Sequence, residues 1–198
     1  MSTVLVTGGA GYIGSHACLA LREAGHEVIV YDDLSAGHRD ALFGGVFVQA
    51  DVRDLKTLRR TLREHRVSAV MHFASLLSVA DSICDPIGYY RNNVEGALSL
   101  LEAMVREAVG VLVFSSSAAV YGDPELTPMP EGHPTRPVNA YGETKLAVER
   151  TLPHYELAYG LRSISLRYFN AGGADPSGRL GEAHDPETHL IPRAFSAI

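Results

Sequence analysis

At 198 residues the chain has room for one well-buried domain, and 46% hydrophobic against 20% charged residues exclude a disordered tail, a collagen-like repeat and a coiled coil. Seventeen Lys and Arg against 23 Asp and Glu leave a net charge of −6, which repels phosphate backbones, so no nucleic-acid partner is expected. Cys18 and Cys84 have no CxxC partner, and neither a signal-like segment nor a membrane-length apolar run is present, so the expected setting is the reducing cytoplasm, away from membranes.

Short apolar runs alternate with longer segments of helical period, the pattern of βαβ units and a parallel sheet. Strands are expected at 3–7, 27–31, 46–49, 69–73, 111–115 and 163–167, with helices at 12–24, 55–64, 89–107 and 139–159. The fold class is therefore α/β, a doubly wound parallel sheet of Rossmann-like type. Five prolines between Asp123 and Pro137 read as an extended surface loop. From Ala171 to Pro192 the chain turns to Gly, Pro, Asp and His, and 193–198 looks like the start of a helix. The expected division is a nucleotide-binding domain over 1–170, followed by the beginning of a second lobe over 171–198.

Gly8, Gly9, Gly11 and Gly14 follow the first strand and precede the first helix. A turn of that kind brings backbone N–H groups and the positive end of a helix against a pyrophosphate with no Cβ in the way. Tyr12 and Ile13 lie inside the same turn. Asp32 ends the second strand, where a carboxylate accepts hydrogen bonds from both ribose hydroxyls and repels a 2′-phosphate, favouring NAD over NADP. Asp33 is either a second adenosine ligand or an exposed acid, and Ser35 and Gly37 continue that loop. Asp51-Val52 follows the third strand, where Asp51 either meets adenine or caps the next helix. Phe73, Ala74 and Ser75 close the fourth strand in the same crevice, with side chains after Phe73 small enough for a cofactor to lie close.

Tyr141 and Lys145 are four apart in a helical stretch capped by Asn139, so they share one helix face. A phenol with a reference pKa of about 10 needs roughly 3 units of lowering to act as a base near neutral pH. A neighbouring ammonium and a cationic nicotinamide both supply it. Ser115, Ser116 and Ser117 end the fifth strand, where the Ser117 hydroxyl can relay a proton or hold a substrate oxygen and Ser115 can bond to backbone.

The runs Thr7-Gly-Gly-Ala-Gly-Tyr-Ile-Gly-Ser-His16, Phe114-Ser-Ser-Ser-Ala-Ala-Val-Tyr-Gly122, Tyr141-Gly-Glu-Thr-Lys145 and Leu166-Arg-Tyr-Phe-Asn-Ala171 together resemble the extended short-chain dehydrogenase/reductase family, and the run on to Pro192 resembles its UDP-hexose 4-epimerases. The resemblance implies interconversion of UDP-glucose and UDP-galactose through a 4-keto sugar with NAD as cofactor. Tyr141 would take the proton of the sugar's 4-hydroxyl, Lys145 would hold the nicotinamide ribose, and Ser117 would bridge the proton path. It also implies that Tyr168 and Asn92 flank the cofactor, and that Asn170, His189 and Leu190 meet the sugar nucleotide, with capping as the structural alternative for Asn92 and Asn170. It further implies a homodimer through the two long helices. Relatives carry a lysine where this chain reads Ser75-Leu-Leu-Ser78, asparagine in place of His189, and a longer C-terminal part that grips the nucleotide, so the chain reads as C-terminally truncated.

Two rivals have discriminating features. A 4,6-dehydratase needs an added acid–base pair directly after the strand-end serine, where this chain has Ala118-Ala119. A fragment that binds NAD without turnover differs from an enzyme by showing no sugar-dependent cofactor reduction. No metal is expected, because no helix fixes His184 and His189 on one face.

Overall fold

A computed structural model of the chain describes residues 2–184, 187 and 189–197. Its core is a six-stranded, all-parallel sheet in the order β3-β2-β1-β4-β5-β6. The strands are β1 (Thr3–Thr7), β2 (Glu27–Asp32), β3 (Val46–Gln49), β4 (Ala69–His72), β5 (Val111–Ser115) and β6 (Arg162–Leu166). The order reverses direction between β1 and β4, and at such a switch point the loops after the two strands diverge and leave a crevice.

Side-chain alternation splits the core in two. Leu5, Ile29, Tyr31, Val70, Leu112 and Phe114 face one way and pack with Leu58 and Leu62 of α2 (Leu55–Glu64), Leu100, Leu101 and Met104 of α5 (Gly96–Arg106), and Val148 and Leu152 of α6 (Ala140–Tyr159). Val4, Val6, Val28 and Val30 face the other way onto Cys18 of α1 (Tyr12–Glu23). The second face is the thinner one, and at the β6 edge Ile164 and Leu166 are exposed.

The long helix expected over 89–107 is a composite. It starts earlier, as α3 (Val79–Cys84) and α4 (Pro86–Tyr89), capped by the side chains of Ser78 and Asp85. It then passes through a π-helical turn, Tyr90–Glu95, before α5. Pro86 falls at the first position of α4, where its missing N–H costs nothing. The final helix, α7, runs Leu190–Ser196, three residues earlier than 193–198 suggests; Ile198 lies outside the described residues.

Helix α6 is specified at both ends. Asn139 accepts from the Gly142 N–H at 2.8 Å, the expected cap, and Gly160 ends the helix at φ +70°, a conformation that costs glycine little. Within the first turn, a Cβ on Gly142 would lie 2.6 Å from the Ala119 carbonyl, so the glycine lets the helix start close against the segment after β5. That contact sets the distance between the strand-end serines and Tyr141.

Candidate active site

The carboxyl ends of β1, β2, β4 and β5 open into a cavity of about 640 Å³. Its floor is the glycine turn. A Cβ on Gly8, at φ +71°, would sit 2.5 Å from the Ala74 nitrogen, and one on Gly14 would sit 2.1 Å from the Gly8 carbonyl oxygen. Only glycine fits at either place. The first turn of α1 has no acidic residue and its N-cap, Gly11, offers no side-chain acceptor, so the N-terminal N–H groups and the positive end of the helix point at the cavity. Gly8, Gly11, Tyr12, Ile13 and Gly14 all line it.

Asp32 is buried and bonded on both oxygens, from the Ala10 N–H at 3.0 Å and the Leu34 N–H at 2.8 Å. Burial raises its pKa and those two bonds oppose the rise. Each oxygen keeps a further lone pair for a hydroxyl, so the carboxylate is fixed and still able to accept. Asp33, Ser35 and Gly37 line the same rim, with Asp33 exposed and accepting from the Ser35 N–H at 2.8 Å. Val52 lines the cavity, whereas Asp51 does not: it turns to a close ion pair with Arg53, and its pKa is lowered by that hydrogen bond. Nor does Asp51 cap α2; Asp54 does, accepting from the Thr57 N–H at 3.0 Å.

On the opposite wall, Lys145 is completely buried. Its Nζ donates to the Ser115 carbonyl and to the Ser75 hydroxyl, both at 2.8 Å, and lies 5.7 Å from the centre of the Tyr141 ring. Burial alone pulls its pKa down to about 7. Lys145 thus stands behind the lining rather than in it, with two of three N–H donors satisfied by the wall. Tyr141 faces the cavity; burial raises its pKa and interaction with the Ser117 hydroxyl lowers it. Ser117 itself accepts from the Ala119 N–H at 3.1 Å, and Ser115 makes a close hydroxyl contact with Tyr168. Phe73, Ala74, Ser75, Asn92, Ser115, Ser117, Tyr168, Asn170 and His189 all reach the cavity, while Leu190 does not and is largely exposed.

Three residues beyond those expected organise this wall. Asn93, the buried neighbour of Asn92, accepts from the Leu76 N–H at 2.8 Å and donates to the Leu76 carbonyl at 3.0 Å and to Thr144 Oγ1 at 3.1 Å. It ties the loop after β4 to α6. Glu149 extends the Tyr141, Lys145 stripe by one further turn and is clamped by Arg167, whose Nη2 approaches to 2.6 Å and Nε to 2.9 Å. The same carboxylate makes a close contact with the Ser116 hydroxyl. The i, i+4, i+8 spacing of Tyr141, Lys145 and Glu149 was available in the sequence; the partner that makes it meaningful, Arg167, was not paired with it by any local pattern.

Fold and site together define a dinucleotide-binding α/β protein that carries a Tyr, Lys and Ser set beside the dinucleotide crevice. Over residues 4–198 the chain matches the model of the NAD dependent epimerase/dehydratase family, and it belongs to that family. It is 48% identical over 196 residues to UDP-glucose 4-epimerase of Rhizobium meliloti, covering 99% of this chain and 60% of that protein. The crystal structure of UDP-glucose 4-epimerase from Brucella ovis in complex with NAD superposes with a TM-score of 0.97 at 50% identity, over 100% of this chain and 61% of that one. A Bifidobacterium longum UDP-glucose 4-epimerase in complex with NAD+ and UDP matches with a TM-score of 0.89 at 39% identity, over 92% of this chain and 58% of the other. The chain therefore spans about three fifths of the length of these relatives.

Proposed function

We propose that the chain binds NAD in the cavity and performs, or forms the catalytic part of a protein that performs, the interconversion of UDP-glucose and UDP-galactose. The observation that carries this reading is the meeting of Tyr141 and Ser117 on the cavity whose floor is the glycine turn and Asp32, with Lys145 in the wall directly behind the Tyr141 ring. The residues fit the cofactor: the space that a Cβ on Gly8 or Gly14 would fill is kept clear for backbone, and Asp32 holds acceptor capacity for ribose hydroxyls.

When bound, NAD+ supplies an acceptor for the hydride from C4 of the sugar and a donor for its return. Tyr141 would take the proton of the sugar's 4-hydroxyl and would return it to the same oxygen at the end of the reaction. Lys145, held on the Ser115 carbonyl and Ser75, places positive charge near the phenol and keeps one N–H for a ribose hydroxyl. Ser117 holds the reacting oxygen or passes the proton. Asn170, on the exposed rim, and His189 take the sugar-nucleotide side. Ala118 and Ala119 leave no second acid–base pair for elimination of water, which disfavours a 4,6-dehydratase.

Residues 171–198 are read as the beginning of the UDP-sugar lobe and 1–170 as the NAD domain. Among the described residues no helix is long and apolar enough to cross a membrane, which with the two cysteines supports a cytoplasmic setting. The exposed Ile83, Ile87, Tyr90 and Leu98 on α3 to α5 support a homodimer through these helices and α6. The binding part of the reading is tested by denaturing the purified chain and identifying released nucleotides by chromatography. NAD with a UDP-sugar supports the full reading; NAD alone supports a dinucleotide-binding module without turnover; neither, with reconstitution failing as well, overturns it.

A further inference from the structure

The stretch Glu182-Ala-His-Asp-Pro-Glu-Thr-His189 repeats Glu-x-His twice within eight residues. No helix aligns its two histidines, yet the loop brings them together: the His184 and His189 rings are 4.8 Å apart between centroids. Glu182, whose side chain is only 9% exposed, lies 3.0 Å from His184 Nδ1 and 2.7 Å from His189 Nδ1. Glu187 comes to 2.9 Å from that same His189 Nδ1. Two carboxylates thus converge on one ring nitrogen, which carries at most one hydrogen. The four side chains together offer two carboxylate and two imidazole donors at one place.

We propose that Glu182, His184, Glu187 and His189 form a binding site for one divalent transition-metal ion of the zinc kind. One donor atom from each residue falls in a group whose members all lie within 4.8 Å of one another. A tetrahedral ion with bonds of about 2.0–2.2 Å sets its donors roughly 3.3–3.6 Å apart, so the pairs now at 2.7–3.0 Å must open slightly and the longest must close, both by side-chain rotation. Two imidazoles and two carboxylates favour zinc, cobalt or nickel over magnesium or calcium, which prefer all-oxygen shells. The loop is anchored from outside the cluster, by His38 Nε2 at 2.8 Å from the Ala183 carbonyl and by the Tyr12 ring edge-on to His184 at 6.2 Å. Such an ion would hold Glu182, His184 and His189 together at the rim of the cavity, beside Tyr12 of the glycine turn.

Titrating Co2+ into the full chain tests this through its visible ligand-field absorption, with no dependence on turnover. The expected result is intense four-coordinate bands that saturate at one equivalent and bleach when Zn2+ is added. His184→Ala and His189→Ala abolish them, and Glu182→Gln weakens binding at least about tenfold, while the exposed His154→Ala leaves them unchanged. Circular dichroism of each variant checks that the fold is retained. Weak six-coordinate spectra, or bands that survive both histidine substitutions in folded protein, overturn the proposal.

Discussion

The two walls of the cavity are built to different standards. On the β1 to β5 side the central groups are fixed by backbone or by a buried partner: Asp32 by two N–H groups, Lys145 by a carbonyl and a hydroxyl, the glycine turn by contacts no side chain could make. On the side after Tyr168, Phe169 and Asn170 are exposed, and His189 is held by other members of its own loop. A parallel sheet supplies the rigid wall for free, because the carboxyl ends of its strands are already in register. Among the described residues of the other wall, between Phe169 and Ser196, Leu180 is buried and most of the rest are exposed. On the proposed reading, cofactor placement and proton transfer fall to the rigid wall and substrate grip to the looser one.

That contrast can be broken most sharply at Tyr141. Removing its hydroxyl by Tyr141→Phe should lower sugar-dependent NAD reduction by about 10²–10⁴-fold, the range for losing a positioned acid–base group, while NAD binding stays within a few fold. Stopped-flow absorbance and a separate NAD titration distinguish the two. Next in size is the Glu149 clamp. Glu149→Ala leaves Arg167 uncompensated beside Ser116, and a loss of about 3 kcal/mol in denaturant unfolding is expected, with Glu149→Gln losing less. A rigid wall unaffected by that change would remove the assigned role.

A smaller effect is expected at Asp32. Asp32→Ala should weaken NAD binding by about 10–100-fold, the worth of one or two hydrogen bonds to a carboxylate, and should relax discrimination against NADP, as read by paired titrations. On the looser wall, Asn170→Ala should raise the concentration of UDP-sugar needed for half-maximal reduction without changing NAD affinity.

The rigid wall also makes a prediction about pH. Burial brings the Lys145 pKa to about 7 in the folded chain without cofactor, against about 10.4 in an unfolded one. Between those values the unfolded state holds the extra proton, so stability rises with pH above 7, by at most about 1.4 kcal/mol per unit, and is lowest where the buried ammonium is fully charged. Urea melts of the cofactor-free chain from pH 7 to 9 should show this climb, and Lys145→Met should flatten it.

Legibility in the sequence follows the same division. Strand positions, the glycine turn, Asp32 at the end of β2, the Asn139 cap and the Tyr141 and Lys145 face all arise from local periodicity or from short spacings, and the structure places them as expected. What local pattern could not supply were pairings across the sheet. Asn92 lines the cavity as expected, while its buried neighbour Asn93, in the same π-helical turn, joins the loop after β4 to α6 through partners far away in the sequence. Asp51 and Asp54 differ by three positions and either could cap α2; only the Arg53 contact shows that Asp51 is already committed. Glu149 needs Arg167, eighteen residues away on the chain after β6, to become part of the site.

The most direct test of the account is to load the chain with NAD+, add UDP-galactose, and follow the absorbance of reduced nicotinamide in the intact protein and in Tyr141→Phe. The account predicts a slow rise dependent on the sugar nucleotide and absent from the variant. A rise of equal size in Tyr141→Phe, or none in a chain shown to bind both NAD and the UDP-sugar, would contradict it.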